Sequence, residues 1–274
     1  MLYVTRLTDP ATIRAFLTMN GAEDRARYAY MIGDLNAPYW DKAAFYGAFD
    51  DQSELQAVLL YYTPFPTPPV ISAGDPDAIG AIWAAVMADF NPQTVMYHVQ
   101  PEHMTAVQRF FAAPDPIPMW RMAITADQLN SAIVLSNTRR LIGTDTAALQ
   151  HLFDSGSPDE FMDGPPHISP ALFDTPFFGV FDGDQLVAAA GTHIVSPLER
   201  LAAVGYVFTH PAARGRGYAT RATAAVTQAL FMAGINLVVL NVKQTNTPAV
   251  RAYERIGFYR QSPLIEGIAQ RLTM

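Results

Sequence analysis

The stretch from Arg200 to Phe258 restricts the fold more than any other part of the chain. A run rich in apolar residues, Arg200–Thr209, is followed by Arg214-Gly215-Arg216-Gly217. An alanine-rich segment begins there at once and continues to Gly234. A second apolar run, Leu237–Val242, precedes a segment that Thr247-Pro248 opens and Gly257 closes, and a last strand begins at Phe258. Proline fits the first helical turn and glycine the left-handed exit, with Thr247 expected as the N-cap. The pattern reads strand, helix, strand, helix, strand, which places it in the α/β class.

The remainder of the chain has the same character. Asp9-Pro10 opens a helix bearing Ile13, Phe16 and Leu17 and closed by Asn20-Gly21; Asp75-Pro76 opens another bearing Ile79, Ile82, Trp83 and Val86 at helical spacing. Strands are expected at 44–49, 55–62, 70–73, 94–99 and 120–125, with a helix over 101–111. Beyond a join near 126–137, a strand at 138–142, a helix at 145–153 and a hairpin around Asp182-Gly183 lead into the stretch described above. Two domains follow from the length, 1–130 and 131–274.

Composition narrows the function. With no cysteine among 274 residues there is no disulfide scaffold, thiolate nucleophile or cysteine-held metal cluster. His98 and His103 lack a carboxylate partner at metal-ligand spacing, so no metal is expected. No apolar run reaches membrane-spanning length, and the first ten residues lack a basic segment followed by an apolar one, so a soluble, cytoplasmic protein is expected. A net charge of −7 argues against nucleic acid as a partner. The charge is unevenly spread: residues 1–130 hold 7 basic and 14 acidic side chains, whereas 200–260 hold eight basic side chains against Glu254 alone. A local positive patch in an acidic protein suits a small polyanion.

Glycines between a strand and a helix let a ligand approach the backbone, the helix start presents unpaired N–H groups, and arginines add charge-assisted donors. Residues 209–220 therefore read as a pyrophosphate cradle. It is not a P-loop, which needs Gly-Lys-Ser/Thr, nor a dinucleotide fingerprint, which needs a third glycine where Thr220 stands.

Arg214-x-x-Gly217-x-Ala219 after a strand resembles the acyl-CoA loop of the GNAT superfamily of N-acyltransferases. Downstream, Leu240-x-Val242-x-x-x-Asn246-x-x-Ala249-x-x-x-Tyr253-x-x-x-Gly257-Phe258 is similar to that family's second signature. The resemblance covers 138–274 by motif and 1–125 by element order. It implies a tandem architecture, each half a mixed, mostly antiparallel sheet flanked by helices, with acetyl-CoA as co-substrate. The first half has only Gly74-Asp75-Pro76 where a cradle would stand, and Asp75 and Asp77 would repel a pyrophosphate, so it reads as a degenerate half.

The resemblance further implies roles. Val207 and Thr209 offer backbone contacts to the cofactor, and Arg214, Gly215, Arg216, Gly217, Tyr218, Ala219 and Thr220 form the pyrophosphate loop. Asn246 and Ala249 line its far wall, and Tyr253 reaches the thioester sulfur as general acid. The strand 200–209 carries no acid or histidine; Glu199, then His193, are the candidates for the base, with His210 at the loop as a third. Residues 155–176 occupy the usual place of the acceptor pocket, where Asp159, Glu160, Asp163 and His167 suit a cationic amine, and Glu266 is a further pocket acid. The expected activity is direct acetyl transfer to a primary amine of a small molecule or peptide, without a membrane partner and with room for a homodimer. The alternative is a non-catalytic CoA-binding sensor.

Overall fold

The computed structural model describes residues 2–161 and 164–272. Two compact units emerge: Met1–Trp120 together with Ser262–Met274, and Arg121–Gln261. In chain order the first unit contains β1 (Tyr3–Leu7), α1 (Pro10–Leu17), α2 (Ala22–Arg27), α3 (Ala29–Gly33), β2 (Ala43–Phe49), β3 (Leu55–Tyr62) and β4 (Pro69–Gly74). It continues with α4 (Pro76–Phe90), β5 (Thr94–Val99), α5 (Met104–Gln108), β6 (Phe111–Ala112) and the start of β7 (Ile117–Thr125). The second unit holds the rest of β7, then β8 (Thr138–Arg140), α6 (Thr146–Asp154), β9 (Phe178–Asp182), β10 (Gln185–Ser196) and β11 (Leu201–Thr209). There follow α7 (Tyr218–Met232), β12 (Leu237–Lys243), α8 (Thr247–Ile256) and the start of β13 (Tyr259–Arg271), whose remainder belongs to the first unit. The architecture is the mixed α/β one, with helices flanking extended sheet.

In the first unit β1 to β4 pair antiparallel in sequence order, β4 pairs β5 in parallel, and β13 lies antiparallel to β5, with Ile265 opposite Val99 and Gln270 opposite Thr94. The reading above keeps 131–274 together, whereas Ser262–Met274 packs with the first unit because β5 offers it a strand partner. The Asp9 and Asp75 carboxylates cap α1 and α4, accepting from Ala11 and Thr12 and from Asp77 and Ala78, with proline next in each. Along α4, Ile79, Ile82, Trp83 and Val86 are fully buried against Tyr46, Leu59 and Tyr97. Full burial of each such side chain stabilises by about 1.5–3 kcal/mol, which is what fixes this helix to the sheet.

The second unit's sheet runs β12-β11-β10-β9-β8, antiparallel except for β11 with β12. Leu149, Leu152 and Phe153 of α6 pack with Phe173, Phe177, Leu186, Ala189 and Phe208, and α7 packs against β9, β10 and β11. Two local readings are corrected, and two short helices lie where none was expected. The helix expected over 101–111 is a 3-10 turn, Pro101–His103, then α5, with Phe111 already in β6. Helices α2 and α3 have no amphipathic stripe: α2 buries only Asp24 and Ala26, and α3 is buried at Ala29, Met31, Ile32 and Gly33 alike. The N-cap of α8 is Asn246, not Thr247, its side chain accepting from the Ala249 N–H. Among the described residues, no helix is long and apolar enough to cross a membrane.

Candidate functional site

Strand β11 is paired on both sides only over its first third. Its parallel register with β12 comprises Leu201–Leu237, Ala202–Val238 and Ala203–Val239, after which the two strands part. From Val204 to Thr209 the backbone of β11 thus has no strand partner on the β12 side among the described residues. Unpaired strand groups invite a ligand that can satisfy them. On the other side β10 follows β11 throughout but with two breaks: at His193, Thr192 faces Val204 while Ile194 faces Ala203, and further on Gly191 faces Gly205 while Ala189 faces Phe208, so that there one residue of β10 spans two of β11. The extra residue sits at Tyr206–Val207, and Tyr206 has φ +51°.

A tyrosine in the left-handed region costs on the order of 1–2 kcal/mol, so its surroundings must hold it. Tyr206 packs against Phe177 at 5.5 Å, Phe153 at 6.3 Å and His193 at 4.7 Å between ring centroids. Burial raises its phenol above the ordinary value. Such a bulge turns backbone groups out of the regular ladder at the point where the strands separate. Val207 and Thr209, both half-buried, lie in this open stretch.

The strand's exit forms the cradle. Gly215 and Gly217 have φ of +80° and +76°, and a Cβ on either would meet nothing within 4 Å. These are open positions that need glycine for conformation rather than for space. Gly217 is the N-cap of α7, and no side chain caps the helix or places an acid in its first turn. The N–H groups of Tyr218, Ala219 and Thr220 therefore start a fifteen-residue helix with its positive end unneutralised. The corresponding junction in the first unit is closed: the Asp75 carboxylate takes the Asp77 and Ala78 N–H groups of α4. His103 is buried there, accepting from the Ser72 hydroxyl at Nδ1 and donating from Nε2 to the Gly74 carbonyl. Burial holds its ring below the usual histidine range.

Two arginines border the cradle differently. Arg214 donates from Nε to the Thr209 carbonyl at 3.2 Å, lies over the Phe208 ring, and pairs through Nη2 with Glu160. Arg216 meets Asp182 only at 3.4 Å, with both side chains more than half exposed, so that contact holds it weakly.

Tyr253 lies on the buried side of α8 with Val250 and Ile256, its ring 6.1 Å from Phe258. Burial pushes its phenol far above the ordinary tyrosine value, so it keeps its proton at neutral pH. Asn246 and Ala249 form the helix cap, which commits the Asn246 Oδ1 to the Ala249 N–H. His193 on β10 lies over Gly205, where an added Cβ would stand 2.0 Å from its Nε2, and beside Tyr206. Glu199 is buried in the turn before β11, roughly 20 Å of strand from Tyr206. Of the two candidate bases, the fold brings His193 to the bulge and not Glu199. His210 uses Nδ1 to accept from the Ala212 N–H.

Of the residues expected at an acceptor pocket, Glu160 is engaged with Arg214, His167 is exposed, and Asp163 lies outside the described residues. Glu266 belongs to the first unit, paired with His98 at 3.1 Å. Among the described residues no cluster of potential metal ligands occurs. The sequence reading missed the parts played by Gly205 and Tyr206. The one signal was a glycine inside an otherwise apolar strand, which marks a bulge or a close approach.

Comparison with known proteins bears on this geometry. The profile of the Acetyltransferase (GNAT) family matches residues 146–258. No curated protein matches the chain. Among solved structures, the chain is similar to a GCN5-related N-acetyltransferase from Sphaerobacter thermophilus, at 15% identity and TM-score 0.65, over 98% of this chain and 95% of that one. It is similar to a tandem GNAT protein from the clavulanic acid biosynthesis pathway, at 12% identity and TM-score 0.59, over 99% and 98%. A GNAT-family protein from Novosphingobium aromaticivorans aligns at 22% identity and TM-score 0.56, over 78% and 89%. At such identities the likeness is one of fold.

Proposed function

Because residues 146–258 match the profile of the GNAT acetyltransferase family, we propose that the chain transfers an acetyl or other acyl group from acetyl-CoA to the primary amine of a small molecule or peptide. The observation that carries this reading is the pairing of a one-sided strand, Val204–Thr209, with an uncapped glycine-rich helix start directly after it. A linear cofactor arm needs the first, and its diphosphate needs the second. Acetyl-CoA supplies the activated thioester.

The chain's own groups do the rest. Backbone groups around Val207 and Thr209 pair with the arm and hold it in the splay. The N–H groups from Gly215 to Thr220 bind the diphosphate, with Arg216 as a charged donor and Asn246 and Ala249 on the far wall. A backbone N–H freed by the bulge faces the developing negative charge. Tyr253 holds its proton at Oη and gives it to the departing sulfur; His193 takes the proton of the amine at a ring nitrogen. Asp163 and His167 belong to the acceptor side.

Thermal unfolding with acetyl-CoA, CoA and ADP tests the cofactor assignment. A ligand at 100 times its dissociation constant stabilises by about 2.7 kcal/mol, a readily measured shift. A shift with the CoA compounds supports the reading, and none at millimolar acetyl-CoA rejects it. A second reading, a CoA-binding sensor without acyl transfer, is favoured by one observation: β11 carries no acid or histidine of its own. Thiol release from acetyl-CoA with a panel of amines separates the two.

A further inference from the structure

The contact between Arg214 and Glu160 links two parts of the second unit that the reaction uses separately. Arg214 belongs to the cradle. Glu160 ends a 3-10 turn, Pro158–Glu160, in the segment between α6 and β9. The pair is held from both sides rather than formed by two free surface chains. On one side, the Arg214 Nε–H is spent on the Thr209 carbonyl and its guanidinium lies over Phe208, which aims the remaining donors at Glu160. On the other, the second Glu160 oxygen accepts from the Ser157 N–H at 3.0 Å, closing a capping box. The next residue, Phe161, packs on Phe153 and on Phe208, the ring that also carries Arg214. Burial alone would raise the Glu160 carboxyl, but the Ser157 N–H and the Arg214 guanidinium outweigh it and hold it below the usual range. The carboxylate is thus charged at neutral pH.

A carboxylate on a cradle arginine is in the position of a competing anion. We propose that Glu160 is the residue that the cofactor's diphosphate displaces from Arg214, so that filling the cradle releases the segment Ser157–Phe161 on the acceptor side. Glu160 is a positioning residue in this account: it touches neither substrate and acts through Arg214. The inference rests on the acyl-CoA reading given above, since it requires an anion in the cradle.

The test compares the full-length wild type with Glu160→Gln and Glu160→Asp, using calorimetric titration of CoA and hydrogen exchange over 157–161. Without ligand, Glu160→Gln must raise exchange at 157–161, and Glu160→Asp must leave it closer to wild type. CoA must raise exchange there in the wild type and have little further effect in Glu160→Gln. The glutamine variant must also bind CoA tighter by roughly two- to fivefold, the range of a half-exposed ion pair. Equal or weaker CoA binding by Glu160→Gln, or unchanged exchange without ligand, overturns the displacement while leaving the acyl-CoA reading intact. Absence of CoA binding by all three proteins overturns that reading, and the displacement with it.

Discussion

Tyr206 holds a left-handed φ in mid-strand because Phe153, Phe177 and His193 surround its ring, and Tyr253 holds its proton because α8 buries it. The Tyr206 ring is set by neighbours distant in sequence, that of Tyr253 by its place on α8. With burial raising the Tyr253 phenol above about 10, it stays protonated across the neutral range and is available as an acid. Tyr253→Phe is expected to lower kcat by about 100-fold or more, with CoA affinity nearly unchanged; equal turnover would remove its role as acid. In the first unit, burial pushes the Asp34 carboxyl up to about 8. The folded chain therefore binds this proton more tightly than the unfolded chain does. Stability should fall as pH rises from about 4 to about 8, by at most about 1.4 kcal/mol per pH unit. Asp34→Asn should flatten that slope, as denaturant midpoints at pH 5 and pH 8 would show. Residue placement was legible only where a linear pattern carried it: Tyr253 stands at a fixed distance from Asn246 and Gly257, whereas the stacking of His193 over Gly205 depends on strand pairing.

At the scale of elements, the two units differ in capping and pairing. Of the helices that follow strand ends, α4 after β4 and α7 after β11 differ at the N-cap. Asp75 closes the first with its own carboxylate, while Gly217 leaves the second open. This difference is local, which is why it could be read from Asp75-Pro76 and from Gly215-Arg216-Gly217 in the sequence. The departure of β11 from β12 was implied by the family resemblance alone, because Leu201–Thr209 and Leu237–Lys243 are both apolar runs that by themselves would suit full pairing. Helices α2 and α3 could not be read, being too short or too uniformly buried to show a period. The close approach of β10 to β11 gives a test of the bulge. In Gly205→Ala the new Cβ would stand 2.0 Å from the His193 Nε2, so the ring must leave. Acyl transfer should fall tenfold or more by the loss of a general base, while binding of ADP, which needs only the cradle at 214–220, stays within about twofold by calorimetry. Unchanged transfer would remove His193 as the base.

For the whole molecule, the two units share an α/β character but differ at the strand and helix ends where a ligand would dock. The second presents an open strand and an open helix end; the first has its corresponding helix start filled by Asp75. The sequence pointed to this asymmetry through charge, with eight basic side chains against one acid over 200–260 and an acidic excess over 1–130. It did not show that the last strand would pair with β5, since strand partners are a property of the assembled sheet. The account therefore makes a claim about number as well as place: one cofactor per chain, bound at residues 204–220. Isothermal titration of the full-length protein with acetyl-CoA, beside Arg216→Ala, tests this most directly. The account predicts one equivalent bound per chain, with affinity reduced about tenfold in the variant, the loss of one charge-assisted contact of roughly 1.4 kcal/mol. No binding, two equivalents per chain, or an affinity indifferent to Arg216 would contradict it.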